Sequence, residues 1–262
     1  MLLRSVIKHV KTQNWFAVIL DFFIVIIGVF IGIQVANWNE NRLLDQQSAD
    51  FTERLRADIA EEAWDFQYMV EYYSDVRQNA ERVVADLEGE TKLSDKDLVI
   101  AAYRASQINI VTRRRATYDE LVSIGQLDLI KDDKLRNTAN AVYDFPLYDT
   151  VYESAYNSKY RELFRMQIHS QIQLALSTHC GDKNVEPLDY QGIVDSIDYP
   201  CDLPIDDQRI AEAAETIRTE TSFLPYVRLR LVQLQSNVFS LEYYYPEVSD
   251  NLKTFRETNE GG

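Results

Sequence analysis

The sequence is poor in the residues that most catalytic sites require, with three histidines, two cysteines and eight glycines among 262 residues. Beyond the first 14 residues, only His169 and His179 could act as the imidazole base that activates a nucleophilic serine or cysteine, and no Gly-x-Ser-x-Gly motif occurs. Glycine-rich phosphate loops are absent. Glu-x-x-His, which a di-iron carboxylate bundle uses twice, does not occur once. We therefore expect a protein without enzyme activity.

Metal-ligand spacings and basic surfaces are scarce as well. Cys-x-x-Cys and His-x-x-x-His spacings are missing, so we expect no metal site and no cofactor. Residues 1–38 contribute +2 to the net charge of −15, so the remaining 224 residues carry −17. Such an acidic domain repels phosphates, and we expect no nucleic acid among its partners.

One long apolar run contrasts with this acidic background. Residues 15–38 read WFAVILDFFIVIIGVFIGIQVANW. A helix needs about 20 mostly apolar residues to cross a hydrocarbon layer of about 30 Å, and residues 16–36 meet that length. Trp15 and Trp38 stand where indole rings favour the two membrane interfaces. These features predict a transmembrane helix over residues 15–38 and contact with a lipid bilayer.

A cleaved signal peptide is the alternative for this run, because a short basic segment precedes it. However, the apolar run exceeds the usual 7–15 residues, and no small-x-small cleavage site follows it. Three basic residues and no acid precede Trp15, whereas several acids follow Trp38. Since positive charge stays on the cytoplasmic side, residues 1–14 are predicted to be a cytoplasmic tail. The rest would be the periplasmic domain of a bacterial inner-membrane protein.

One face of the predicted transmembrane helix carries its only acid and its two glycines. At 100° per residue, five positions fall within an arc of about 80°: Asp21, Val25, Gly28, Gly32 and Val35. Small residues let a second helix approach closely, and an acid within the membrane usually faces protein or water. The pattern favours an interface with another integral membrane protein or with a second copy of this chain. The alternative is that Asp21 reaches the headgroups and that the glycines face lipid.

The two cysteines follow the membrane segment, on the side where disulfides persist. Cys180 and Cys201 bracket most of residues 178–205, a stretch that holds three of the six prolines and two of the eight glycines. This composition predicts a loop that a disulfide between them closes. The alternative is a pair of free or metal-binding thiols, with His179 beside Cys180.

The remaining periodicity is helical, because no alternating strand pattern lasts beyond four residues. Residues 39–87 contain no glycine or proline and place apolar residues three and four apart, which predicts a long stalk-like first helix that Gly89 ends. Further helices are predicted over 94–107, between a Thr117–Glu120 capping box and Gly125, over 133–177 with an interruption at Pro146, and over 206–219 and 225–245.

These helices, joined by short connectors, predict the fold class. We expect an all-α protein in which the transmembrane helix is followed by an antiparallel helical bundle over residues 39–255. The acidic segment after Pro246 ends in two glycines, and residues 256–262 are predicted to be a disordered tail.

Three consecutive arginines, Arg113, Arg114 and Arg115, form a basic cluster in this acidic domain. A guanidinium cluster could bind a carboxylate, a phosphate or an acidic partner. The favoured alternative is structural: the arginines pair with acids of the domain itself.

Four tyrosines recur every fourth residue along the predicted helix over 133–177: Tyr148, Tyr152, Tyr156 and Tyr160. Tyrosine offers a large contact area with a polar tip, so this aromatic ridge could line a ligand groove or a protein interface. The favoured alternative is that the ridge belongs to the bundle core, since core residues share the same spacing.

Two blocks of the chain resemble a family of uncharacterised single-pass bacterial membrane proteins. The first block is the anchor DFFIVIIGVFIGIQVANWNE, and the second is ATYDELVSIGQLDLIKDDKLR. Together they cover about a sixth of the chain, and the second is the more specific. The family pattern usually has serine before the glycine at 125, where this chain has Ile124. The resemblance implies the single-pass topology. Because the family has no assigned activity, the resemblance assigns no catalytic residues to this chain.

These observations lead to an expected function of interaction rather than catalysis. The main expectation is an accessory or scaffold subunit that binds a membrane protein complex through its transmembrane helix and its periplasmic bundle. The alternative is a periplasmic sensor or ligand-binding protein. Because a 14-residue cytoplasmic tail cannot hold a transmitter domain, such a sensor would have to signal through a partner.

Overall fold

The structure is a computed structural model that describes residues 15–110, 112–144, 147–193, 196–244 and 246–260. The predicted cytoplasmic tail, residues 1–14, lies outside this range. Helices make up all the regular structure of the described residues, and no strand occurs among them. The expectation of an all-α fold is confirmed.

Eleven α-helices follow one another within the described ranges. They are α1 (Trp15–Leu87), α2 (Asp95–Ala105), α3 (Ala116–Ser123), α4 (Asp133–Tyr143), α5 (Leu147–Tyr156), α6 (Lys159–Gln167), α7 (Ser170–His179), α8 (Tyr190–Ile193), α9 (Asp207–Thr219), α10 (Phe223–Phe239) and α11 (Pro246–Glu260). A 3-10 turn at Leu127–Leu129 precedes α4, and a π-helical turn at Ser240–Tyr244 follows α10.

Helix α1 is one uninterrupted helix of 73 residues that joins the apolar run to the bundle. Its apolar first part packs against no other part of the described chain, and its second part buries one face. It is long and apolar enough to cross a membrane, the one such helix among the described residues. Gly89, with φ +78°, follows its C-terminus as predicted.

The buried face of α1 is the centre of the core. The predicted seam is buried at eight positions: Ile59, Ala63, Phe66, Met69, Tyr73, Val76, Ala80 and Val83. Helices α2, α10 and α11 pack along α1, and α9 packs on α2. Helix α2 runs antiparallel to α1, because the Leu93 amide near its start binds Asp86 and the Asn109 carbonyl beyond its end binds Tyr73.

Three helix starts use the side-chain caps that their sequences suggest. Ser94 accepts a hydrogen bond from the amide of Asp97, Asp132 from that of Leu135, and Asp206 from that of Arg209. Each cap satisfies one of the amides that a helix N-terminus leaves without a partner.

The prediction of a helix over 133–177 with one interruption, at Pro146, is incomplete. The structure divides this stretch into α4, α5, α6 and α7. Pro146 itself lies outside the described residues, but α4 ends at Tyr143 and α5 begins at Leu147. Two further breaks follow, where Ser158 caps α6 and His169 caps α7 through its Nδ1.

The C-terminal segment also differs from the prediction of a disordered tail over 256–262. Residues 256–260 belong to α11, whereas 261 and 262 lie outside the described residues. Val248 and Leu252 of α11 are buried against the core, which gives this acidic segment a helical face to bury.

Candidate functional site

The proposed interface residues of the membrane segment lie on one continuous helix. Asp21, Val25, Gly28, Gly32 and Val35 all belong to α1, so the predicted 80° arc applies to them. All five are exposed. A β-carbon built on Gly28 or on Gly32 has no heavy atom within 4 Å, so this face packs on nothing in the described chain. Its role as an interface stays a prediction.

The two tryptophans that bound the segment remain candidate membrane anchors. Trp38 is 65% exposed on α1, in line with a position outside the bundle. Trp15 begins the helix, and its side chain is not among the described ones.

The arginine cluster pairs with acids of the domain, as its structural alternative predicts. Arg113 donates from Nε to Glu62 at 2.9 Å, and the Arg114 amide donates to the other oxygen of Glu62 at 2.6 Å. The Arg114 side chain binds Glu61, and Arg115 binds Asp119. The cluster therefore fastens the linker between α2 and α3 onto α1.

Glu62 is the most buried carboxylate of this contact, with a side chain that is 0% exposed. Burial raises the pKa of Glu62, and the Arg113 guanidinium opposes that shift. Tyr143 completes the contact by donating its hydroxyl to the Arg114 carbonyl at 2.7 Å, while its ring lies against the Arg113 guanidinium. The contact thus joins α1, the linker and α4.

The tyrosine ridge is not continuous. Tyr148, Tyr152 and Tyr156 belong to α5, whereas Tyr160 follows the break at Ser158 and belongs to α6. Tyr160 is buried and donates its hydroxyl to the Ala102 carbonyl at 3.0 Å.

Tyr152 and Tyr156 of α5 are less buried than Tyr160. The Tyr152 and Tyr156 rings lie 5.7 Å apart, and Tyr156 is 60% exposed. The Tyr148 side chain is not among the described ones. Of the four tyrosines, Tyr160 supports the core interpretation and Tyr156 lies on the surface.

The cysteine prediction is confirmed at the level of geometry. The sulfur atoms of Cys180 and Cys201 are 2.19 Å apart, which is bonding distance. The loop between them contains the one-turn helix α8 and lies over α1. Tyr72 of α1 donates its hydroxyl to Asp182 at 2.8 Å, and Tyr199 donates its hydroxyl to the Gly181 carbonyl at 2.6 Å.

A second polar cluster surrounds the buried C-terminus of α2, and the sequence interpretation missed it. Arg230 of α10 is 1% exposed and donates to the Gln107 carbonyl at 2.9 Å. Arg161 of α6 donates to the Ser106 carbonyl at 2.6 Å. The negative end of the helix dipole and its free carbonyls explain why two cations are stable there. Burial lowers the pKa of Arg230 to about 10.

A cleft of about 280 Å³ opens between α1, the linker after α2 and the disulfide loop. Its lining includes Trp64, Asp65, Asn109, Arg114 and Lys183. Burial, and then the neighbouring Glu62 carboxylate, raise the pKa of Asp65 to about 7. No sequence pattern marks this cleft, because its walls come from three distant segments.

Helix α10 presents a second apolar face to solvent, opposite its core face. Leu229, Val232 and Phe239 of α10, and Tyr243 of the π-helical turn that follows it, are between 46% and 66% exposed. The first three recur at intervals of three and seven residues, so they share one side of α10. The Phe239 and Tyr243 rings stack at 5.3 Å. We call these four residues the α10 stripe.

Comparison of the chain with protein-family models, with curated proteins and with solved structures finds no match.

Proposed function

We propose that this protein is a single-pass inner-membrane accessory or scaffold subunit that binds a membrane protein complex and performs no catalysis. The proposal rests on the difference in burial between the two parts of α1. The described side chains of its apolar part are all exposed, while the same helix continues without a break into the core of the bundle. A helix built in this way can fix a folded domain at a set distance from the membrane.

The orientation in this proposal follows from the charges that flank the apolar run. The basic residues before Trp15 keep the N-terminus in the cytoplasm, which directs the bundle to the periplasm. The proximity of Cys180 and Cys201 agrees with an oxidising compartment. The resemblance to single-pass bacterial membrane proteins supports the same topology.

Two exposed faces supply the proposed contacts with a partner. Within the membrane, the stripe of Asp21, Gly28 and Gly32 would pack on a helix of an integral membrane protein or of a second copy. In the proposed periplasmic domain, the α10 stripe exposes apolar side chains to water, and burying them against a partner would be favourable. Both faces belong to helices that are fixed in the bundle, so a partner could engage them together.

The experiment is a pull-down of the tagged full-length protein in mild detergent, followed by mass spectrometry of the proteins that accompany it. The proposal expects a membrane protein complex at fixed stoichiometry. Asp21→Leu should reduce that recovery, whereas Asp119→Asn, a change at an exposed ion pair of the bundle, should not. Recovery of the protein alone, as a monomer or as a homo-oligomer, would contradict the subunit proposal.

A sensor or ligand-binding protein that signals through a partner is the second candidate. The cleft beside Trp64 favours it, because the cleft combines cationic and aromatic lining residues. A small molecule that raises the melting temperature of the full-length protein would support this candidate.

A further inference from the structure

We propose that the cleft between α1, the linker after α2 and the disulfide loop binds a small carboxylate with an apolar body. This site is a property of the bundle and does not depend on a membrane partner, so the two proposals can fail separately. The volume of about 280 Å³ is close to the lower end of the range for small-molecule pockets, about 300–1,000 Å³.

Two side-chain nitrogen donors of residues that line the cleft have no hydrogen-bond partner among the described residues. They are the indole Nε1 of Trp64, whose side chain belongs to a residue only 5% exposed, and the amide Nδ2 of Asn109. A buried donor without an acceptor is energetically unfavourable. Two such donors on residues that line one cleft therefore favour a ligand that supplies acceptor oxygens.

The lining of the cleft includes cationic side chains. Lys183 and Arg114 line the cleft from two different walls, within a domain that is acidic as a whole. The Lys183 ammonium lies 4.0 Å from the centre of the Tyr199 ring, and the Arg114 side chain is paired with Glu61. Among the described lining residues the one carboxylate is Asp65, which lies next to Trp64 on α1. Cations and neutral donors together suit an anionic head group.

Aromatic and apolar side chains form part of the cleft wall. The Trp64 ring stacks on the Tyr68 ring at 5.3 Å, which forms a flat aromatic wall on α1. Val185 and Pro187 of the disulfide loop and Ile110 of the linker also line the cleft. These apolar groups form the smaller part of a mostly polar lining, so they suit a small ring rather than an extended apolar chain.

The disulfide loop holds its wall of the cleft in place. The Lys183 amide donates to the Ser196 carbonyl at 2.8 Å, and Asp182 accepts from Tyr72. Both donor nitrogens have almost no exposed surface, so side chains around the cleft have to move for a ligand to reach them.

The test is calorimetric titration of the full-length protein in detergent with benzoate, with benzamide as the matched neutral compound and with inorganic phosphate. We expect saturable binding of benzoate and about tenfold weaker binding of benzamide, since charge-assisted hydrogen bonds are the stronger ones. Trp64→Phe keeps a ring but removes the N–H, and it should weaken benzoate binding about five- to tenfold. Trp38→Phe, outside the bundle, is the matched control.

Lys183→Met provides a second variant, since it changes an exposed side chain and leaves the core intact. It too should weaken benzoate binding. No saturable binding of benzoate at millimolar concentration would overturn the proposal, as would equal binding by Trp64→Phe and Trp38→Phe. Phosphate binding as tight as benzoate binding would overturn the assignment to a carboxylate.

Discussion

The Arg113 guanidinium donates to the Glu62 carboxylate at 2.9 Å, and the Glu62 side chain is completely buried. The Arg114 amide donates to the same carboxylate. A loop that carries three arginines in a row is thus held on the core helix by a buried acid. This contact explains why the arginine cluster is poorly suited to bind an outside anion through Arg113.

The first prediction concerns this pair. Glu62→Gln removes the charge that balances Arg113 inside the protein, and breaking a buried pair on one side typically costs about 3–5 kcal/mol. We expect a loss of that size in the free energy of unfolding of the detergent-solubilised protein, measured by urea denaturation.

An exposed pair provides the control for the Glu62 variant. Lys159 and Glu162 are both more than half exposed. Exposed pairs contribute about 0–1 kcal/mol, so Lys159→Met should change the stability little. A loss for Glu62→Gln as small as that for Lys159→Met would mean that the buried pair does not hold the linker.

The second prediction concerns Arg230, which donates to carbonyls at the end of α2. Arg230→Met removes these hydrogen bonds and leaves buried carbonyls without donors, at a cost of about 1–3 kcal/mol for each group. We expect a loss of about 2–4 kcal/mol in the free energy of unfolding. Arg228→Met, two residues away and at an exposed pair with Glu88, should cost less than about 1 kcal/mol.

The sequence contains signals for both of these buried ions, although they are weak. Arg230 lies three residues after Val227 and four before Leu234, so it occupies the core face of α10. Glu62 lies in the same relation to Ile59 and Phe66 on α1. A charged residue on an apolar seam indicates a buried ion, but the sequence does not show which groups balance it.

Local capping signals explain which helix starts could be predicted. Ser94, Asp132 and Asp206 each cap a helix with their own side chain, so a short stretch of sequence is sufficient to find them. The Thr117–Glu120 capping box was wrong. Helix α3 begins at Ala116, and the Thr117 amide donates to Asp58 of α1, a contact that depends on tertiary structure.

The helix breaks within 133–177 show where prediction from the sequence failed. Asn157 and Ser158 separate α5 from α6 although the tyrosine spacing stays regular across them, and Ser158 caps α6. Serine before a regular apolar pattern is a known signal for a helix start, but the regular tyrosine spacing predicts one continuous helix instead. Tyr160 reaches the Ala102 carbonyl only because the chain turns before α6.

The third prediction concerns the pH dependence of stability through Asp65. The folded-state pKa of about 7 lies above the usual value of about 3.8. Below the lower value the carboxyl is neutral in both states, and as the pH rises towards 7 only the unfolded state ionises fully. The contribution of Asp65 to stability is therefore present at acidic pH and is lost by about pH 7.

Asp65→Asn isolates this contribution. The stability of the variant relative to the natural protein should rise by about 1–2 kcal/mol between pH 5 and pH 8, because one pKa unit corresponds to about 1.4 kcal/mol and the group is partly exposed. Thermal denaturation at a series of pH values measures the difference. A constant difference across this range would show that Asp65 does not titrate as stated.

The fourth prediction concerns the cysteine pair. A disulfide that spans 21 positions contributes about 3 kcal/mol in the chain-entropy model. Changing both cysteines to serine should lower the free energy of unfolding by about that amount. Thiol labelling of the denatured protein should detect no free thiol without reductant and two after reduction, whereas labelling without reductant would contradict the bond.

The last prediction concerns the membrane face of α1. In the structure, a β-carbon on Gly28 or Gly32 contacts nothing, so Gly28→Ile with Gly32→Ile fits the isolated chain without a clash. Any loss of association must then arise at a second molecule, whose helix the larger side chains hold away. Cross-linking in native membranes should detect less association for this double variant. Phe30→Ile changes the opposite face of the same helix and is the control, since it should leave cross-linking unchanged. If the double variant cross-links as strongly as the natural protein, the Gly28 and Gly32 face is not the interface.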